Sequence, residues 1–302
     1  MTEGVLPIWK PVDYTSHDVV AKARRILRIK RIGHTGTLDP KVTGVLPLCI
    51  GRATRLVEYI QDLPKEYEAV LTLGLSTDTE DLTGEVLERL DRVTVSAEEI
   101  TRVLASFVGT IDQVPPMYSA VKVDGKRLYE LAREGATVER KSRQVDIYRI
   151  DALAMDLDRP HPEIRFRVSC SKGTYIRTLC VDIGRALGVP AVMSELVRTA
   201  TGSLTRANCV TFEELEQEAA DGTWQRRLLA PDDAVPHLAA VTLAAPEQAV
   251  HALQGRKLLW APDTLPEGAG DLIRLYSPER AFLGIFRADR ERGLLLPEKV
   301  FQ

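Results

Sequence analysis

The sequence predicts an α+β chain with one large and one small domain, and three observations predict it. Residues 164–170 (Ile-Arg-Phe-Arg-Val-Ser-Cys) alternate apolar and polar without a break, the period of a half-buried strand. They lead into the helical stripe Ile176, Leu179, Cys180, Ile183 and Leu187, closed by Gly188 and Pro190. Two capping boxes, Ser96-Ala97-Glu98-Glu99 and Thr211-Phe212-Glu213-Glu214, open further helices. Residues 230–236 (Ala-Pro-Asp-Asp-Ala-Val-Pro) read as a linker. Short apolar runs follow it at 241–243, 272–276, 282–286 and 294–296, separated by Gly and Pro. That is the pattern of a small β-rich domain of about 60 residues, which sets expected domains at 1–236 and 237–302.

The bulk numbers exclude more than they assign. A chain of 302 residues, 44% hydrophobic and 27% charged, is an ordinary soluble globular composition. No apolar run approaches the roughly 20 residues that cross a bilayer. The first residues lack the basic head and apolar core of a signal peptide, so a cytoplasmic location is expected. The four cysteines (Cys49, Cys170, Cys180, Cys209) have no Cys-x-x-Cys spacing and stand among apolar or small residues. They read as reduced core thiols, not a disulfide frame or zinc site. A formal net charge of -3 gives no global support for a polyanionic partner.

Local charge reads differently. Residues 5–9 form a short strand ended by Lys10-Pro11. Ser16 reads as the N-cap of a helix over 17–29, with Val19, Val20, Ala23, Ile26 and Leu27 facing the core. Lys22, Arg24, Arg25, Arg28, Lys30 and Arg31 line the rest of it with no acid between them. A run of charge is usually only a solvated face. This one lacks interleaved glutamates and feeds into a glycine-rich loop, the footprint expected for phosphates. In the strand over 67–73, Tyr67, Ala69, Leu71 and Leu73 share a face. Residues 76–84 read as a solvated polar loop whose three acids do not fit a calcium loop. Ile100, Val103, Leu104 and Phe107 form the inner face of the helix opened at Ser96. Residues 113–135 hold paired prolines, an Asp124-Gly125 hairpin-like turn and a short helix ending at Gly135. Lys122, Lys126, Arg127, Arg133, Arg140, Lys141 and Arg143 make a second positive zone, with Tyr118 and Tyr129 near it. Arg177 falls in the first turn of its helix, where the macrodipole disfavours cations; it requires a partner anion or an outside role.

Gly33-His34-Thr35-Gly36-Thr37-Leu38-Asp39-Pro40 is the stretch these elements surround. Glycines permit a tight turn or close approach, and the proline biases Asp39 toward an extended backbone. The loop therefore presents one carboxylate in a defined direction, as an acid, base, nucleophile or metal ligand. A surface turn carries the same residue types, and the letters alone leave both readings open.

Taken together, three motifs resemble the TruB-type RNA pseudouridine synthases, in particular the bacterial enzymes that act on uridine 55 of the tRNA T loop. Residues 33–44 are similar to the family's Gly-His-x-Gly-Thr-Leu-Asp-Pro-x-x-(Thr/Ser)-Gly signature. Lys65-Glu66-Tyr67 is similar to its Lys-x-Tyr, and residues 171–177 to its Ser-x-Gly-Thr-Tyr-Ile-Arg. Leu196-Val197-Arg198-Thr199, with Gly202, matches a further short motif, and residues 113–135 resemble a family insertion. Coverage runs from about residue 5 to 204. One departure is Asp13, which stands where the family commonly has a glycine in an early turn; Asp tolerates positive φ better than most residues.

The resemblance implies a mixed-sheet pseudouridine synthase catalytic domain with flanking helices and an RNA-binding insertion around 112–145. The small C-terminal β-rich unit stands where the family carries an RNA-binding PUA domain. The implied reaction breaks the C1′–N1 bond of a flipped uridine, turns the base and rejoins it through C5. By resemblance Asp39 is the catalytic carboxylate and Arg177 its partner. Tyr67 is the ring on which uracil stacks, His34 the residue that fills the space of the flipped base, and Tyr175 and Leu196 are substrate-pocket positions. Lys10 is a support residue without chemistry. No cofactor or metal is implied. The expected partner is tRNA through its T-stem loop, with no required protein partner, no membrane and a monomeric chain. Two other readings stay open: a dyskerin-like subunit that works with guide RNA, and a tRNA-folding chaperone using the same cleft.

Overall fold

The computed structural model describes residues 2–123, 125–261, 265 and 269–302. In chain order its elements begin with β1 (Gly4–Lys10), α1 (Ser16–Leu27), β2 (Ile32–His34), β3 (Thr43–Ile50), α2 (Val57–Gln61), β4 (Lys65–Leu73), β5 (Leu75–Thr77) and β6 (Val86–Arg89). Next come α3 (Ala97–Ser106), β7 (Gly109–Gln113), β8 (Lys122–Val123), β9 (Lys126–Arg127), α4 (Leu128–Arg133), β10 (Arg143–Asp156) and β11 (Glu163–Cys170). Then follow α5 (Ile176–Ala186), β12 (Ala191–Thr201), β13 (Leu204–Thr205) and α6 (Phe212–Ala220). The C-terminal part holds β14 (Ala239–Thr242), α7 (Pro246–Leu253), β15 (Leu258–Leu259), β16 (Leu272–Tyr276), β17 (Phe282–Asp289) and β18 (Leu294–Val300).

A nine-stranded sheet organises the larger part, in the order β1-β3-β12-β4-β11-β10-β7, with β2 added to β3 and β13 to β12. It is mixed: β12 runs parallel to β3 at Val197–Thr43 and Arg198–Gly44, and its other pairings are antiparallel. β1 pairs with β3 from Gly44 to Ile50, so β2 and β12 must share the opposite edge, β2 at Leu48–Ile50 and β12 at Thr43–Gly44. The chain between β2 and β3, which carries Asp39, leaves the sheet at that divided edge.

Alternation along β3 explains how the sheet is covered. Val45 and Cys49 face one side, with Leu56, Tyr59 and Ile60; Leu46, Leu48 and Ile50 face the other, against Val19, Val20 and Ala23 of α1 and Leu215 of α6. Farther along, α3 and α5 cover β4, β10, β11 and β12 through Ile100, Leu104, Ile176, Leu179, Cys180 and Ile183. The second, five-stranded sheet has the order β14-β16-β17-β18-β15. Each predicted strand of that unit is present, and α7 and β15 are additions without a signal in the apolar runs.

Local departures have local causes. Thr15, not Ser16, caps α1, because Thr15 and Asp18 form the reciprocal capping box; the Ser16 hydroxyl instead accepts from Leu38 N at 2.9 Å. α1 ends at Leu27, with Arg28 left-handed at φ 54. Asp13 is left-handed at φ 66, as its place in a glycine position anticipated. Residues 76–84 are not a free loop: β5 pairs with β6, and Asp81 lies in the cleft described below. Of the expected Asp124-Gly125 turn, Asp124 lies outside the described residues; β8 and β9 pair on either side of it. The 230–236 stretch is packed, with Ala234 and Val235 buried and Tyr276 Oη donating to Asp232 Oδ2 at 2.9 Å.

Candidate active site

The loop after β2 is fixed by side chains reaching in from other elements. Lys10, fully buried at the end of β1, donates through Nζ to the carbonyls of Pro11 (2.9 Å), Pro40 (3.1 Å) and Val42 (2.6 Å). Val42 N closes the turn on Asp39 O at 3.0 Å, and the Ser16 hydroxyl holds Leu38. The proline and this clamp leave Asp39 one direction, into a cleft of about 1220 Å³.

Arg177 meets it there. Its Nε lies 3.1 Å from Asp39 Oδ2, and its other nitrogens donate to Thr79 O (3.0 Å) and Tyr118 O (2.9 Å). The side chain is 5% exposed, so all three nitrogens find their acceptors inside the protein. This supplies the anion that an arginine in the first turn of a helix requires. Asp39 stays 41% exposed toward the cleft while protein crowds it from the other sides. Burial raises its carboxyl above the usual range, Arg177 pulls it back down, and Asp81 pushes it up again.

The remaining predicted positions converge on the same cleft: His34, Tyr67, Tyr175 and Leu196 all line it. His34 stands edge-on to His17 with ring centroids 5.3 Å apart, and its Nδ1 accepts from Gly36 N at 3.3 Å. Burial lowers its pKa and so favours the neutral ring. Tyr67 is half-buried, and burial keeps its hydroxyl protonated by raising its pKa, with Arg198 opposing. Tyr175 is held twice. Its backbone N and O bond the Gln113 side-chain amide at 2.7 and 3.0 Å, and Arg143 stacks over its ring at 4.7 Å.

Several contributors carry no signal of their own in the sequence. Arg198 stands within one of the motifs, which assigns it no role; it is 2% exposed and lines the cleft. Asp81, Gln113 and the Tyr118 carbonyl reach partners far away in the chain, which spacing cannot reveal. Eight lysines and arginines line the cleft (Lys65, Lys122, Arg127, Arg133, Arg143, Lys172, Arg177, Arg198) against two carboxylates, Asp39 and Asp81. The chain is net acidic, yet this surface is strongly cationic. Among the described residues no three His, Cys, Asp or Glu side chains group as metal ligands, and no helix is long and apolar enough to cross a membrane.

A mixed sheet with this cleft at its divided edge is the architecture of a pseudouridylate synthase. The family model for TruB family pseudouridylate synthase (N-terminal domain) matches residues 24–176, and that for the tRNA pseudouridylate synthase B C-terminal domain matches 177–235. The chain belongs to the TruB family. It is 46% identical to tRNA pseudouridine synthase B of Geobacillus thermodenitrificans over 99% of this chain and all of that protein. To the Bacillus subtilis protein of the same name it is 45% identical, over 99% and 98%. Among solved structures it resembles a chain of a Cbf5–Nop10–Gar1 complex, with TM-score 0.78 and 30% identity, covering all of this chain and 85% of that one. A chain of an H/ACA RNP bound to a substrate RNA containing 2′-deoxyuridine gives 0.75 and 28%, covering 99% and 85%.

Proposed function

We propose that this chain converts uridine to pseudouridine at position 55 in the T loop of tRNA, with Asp39 as the catalytic carboxylate. The observation that carries this is the Asp39–Arg177 pair on the floor of a cationic cleft lined by Tyr67, Tyr175, Leu196 and His34. Arg177 aims the carboxylate and favours its ionised form. A uridine folded into an RNA loop is out of reach, so it flips into the cleft. Tyr67 and Leu196 receive its ring, and His34 fills the space it leaves. The cations along the rim hold phosphates. Residues 1–236 form the catalytic domain, with the RNA-contacting insertion around 112–145, and 237–302 a PUA-like RNA-binding domain. The protein acts in the cytoplasm as a single chain, without metal or cofactor.

The likeness to Cbf5-containing complexes favours a second reading, a subunit that depends on guide RNA and partner proteins. Near-full-length identity of 45–46% to proteins named for tRNA, against 28–30% to those structures, favours the first. The deciding assay is pseudouridine formation on a transcribed tRNA and its isolated T-stem loop, with no guide RNA or partner added and EDTA present. Turnover is expected on both. Asp39→Asn, nearly isosteric, is expected to bind tRNA and melt like the wild type while losing turnover. If that variant still turns over within about ten-fold of wild type, Asp39 is not the catalyst.

A further inference from the structure

We propose that Arg198 stabilises the uracil ring as it leaves the ribose; the inference rests on the functional reading above. Arg198 lies in β12, opposite Tyr67 of β4 and two residues from Leu196. Its Nε donates to Val45 O at 2.7 Å, while Nη2 is buried without an acceptor among the described residues. Nη1 lies beneath Gly36, 3.5 Å from where a Cβ there would stand. Guanidinium only donates, and a buried charge lacking a full set of acceptors is costly to keep. The fold keeps this one at the wall of the cleft.

The groups around it do not neutralise it. Lys10 of β1 and Lys65 of β4 are buried beside it and donate only to backbone carbonyls, Lys65 to Gln61 O and to Leu63 O at 2.6 Å. Asp39 is engaged by Arg177. Asp81 is taken up by the hydroxyls of Thr79 and Thr83. Glu66 accepts from Thr199 at 2.8 Å. Cys170 and Tyr67 are both held protonated by burial; the Tyr67 hydroxyl hydrogen-bonds the Arg198 side chain only as a neutral group, so neither offers an anion. The floor therefore carries positive charge that no protein carboxylate cancels, next to the surfaces that receive a flat ring.

The reaction creates the matching charge. When C1′–N1 breaks, its electron pair leaves with the uracil and spreads over the ring nitrogen and carbonyl oxygens. Asp39 relieves C1′, by bonding to it or by taking the 2′ proton. The ring turns, C5 returns the pair to C1′, the C5 proton departs, N1 takes up a proton and Asp39 is regenerated. The anion exists only between those bond changes, so preorganised positive charge at that place lowers the barrier without tightening the ground state.

The test uses the full chain and two T-stem loop hairpins, with uridine or 5-fluorouridine at the target. Single-turnover consumption of that nucleoside, hairpin Kd and thermal melting are measured for wild type, Arg198→Gln and Arg198→Lys. Fluorine withdraws electrons and stabilises the departing ring by itself. Arg198→Gln is expected to slow uridine consumption about 100-fold, with Kd within about two-fold, and to slow 5-fluorouridine consumption about ten-fold or less. Arg198→Lys, which keeps the charge, should fall between Gln and wild type. Equal losses on both hairpins would mean a role in shape alone, and weaker binding with normal turnover at saturation would mean a phosphate contact; either overturns the inference. If Arg198→Gln does not fold, Arg198→Lys carries the same comparison. Wild-type conversion of the uridine hairpin reports separately on the functional reading.

Discussion

At the scale of single residues, Asp39 in the cleft and Lys10 buried behind its loop predict measurable pH behaviour. In the proposed function Asp39 works as a carboxylate, and burial raises its pKa above the ordinary 3.8. Activity should therefore fall with an acid limb above the usual carboxylate range. Arg177 is the first group pulling that pKa down, so Arg177→Gln should lower the rate and also move the limb to higher pH. A pH profile of single-turnover rates checks it, and an unmoved limb would show that Arg177 does not set the charge of Asp39. Lys10 predicts an alkaline effect on stability. Burial lowers its pKa from 10.5 to about 8, so between those values the unfolded chain binds more protons than the folded one. Its contribution to stability thus rises with pH across that window. Lys10→Met should lose that share of the rise, seen by comparing denaturant unfolding at about pH 7.5 and 9.5.

At the scale of elements, α1 shows how a pattern legible in sequence divides once it is folded. Its basic residues do not form one uniform face. Lys22 pairs with Glu216 at 3.3 Å and lies 4.4 Å over the Phe212 ring; Arg24 donates to Ile32 O at 2.7 Å, and Arg31 Nε to Thr54 Oγ1 at 2.7 Å. Lys22 and Arg24 tie the helix to α6 and β2, and Arg31, beyond its end, ties the following turn to the segment before α2. Arg25, Arg28 and Lys30 are exposed, so they are the ones the proposed RNA contact would draw on. Replacing Arg25 and Arg28 by Gln should weaken tRNA binding and reduce the slope of log Kd against log salt by ~1 unit for each phosphate no longer neutralised. Melting should be unchanged. An unaltered slope would leave this stretch a solvated face. Residues 45–50 of β3 are a continuous apolar run, and its division between two cores and three partner strands has no signal in the sequence, since a run buried on both faces has no alternation to read.

At the scale of the whole molecule, the two sheets share a core and are not beads on a linker. Ile285 and Phe301 of the C-terminal part pack with Tyr59, Ile60 and Val235, and the Phe301 ring lies tilted against Phe282 with centroids 5.0 Å apart. Phe301→Ala should cost about 3–5 kcal/mol, as for a large buried aromatic. Its melting point should drop by several degrees, while turnover on saturating hairpin persists at temperatures where the protein stays folded. A melting curve unchanged from wild type would show that the two parts stand independently.

The amino-acid sequence by itself determined most of the elements, and through its resemblance to a family it pointed to a candidate centre of the site. Alternation in 164–170 and the capping boxes at Ser96 and Thr211 are local signals, set by backbone geometry within a few residues, whereas Asp39, Tyr67 and Arg177 were marked as candidate site residues by motifs that resemble a family's. Tertiary structure decided what depends on distant chain coming together. It brought Arg177 to Asp39 and fixed that arginine with carbonyls from Thr79 and Tyr118. It drew Asp81 out of an apparently solvated loop, seated Tyr175 on Gln113, and placed Arg198 under Gly36. The physical reason is the same in each case. Periodicity and capping report how one segment satisfies its own backbone, whereas a buried charge is satisfied by whichever groups the folded sheet delivers to it.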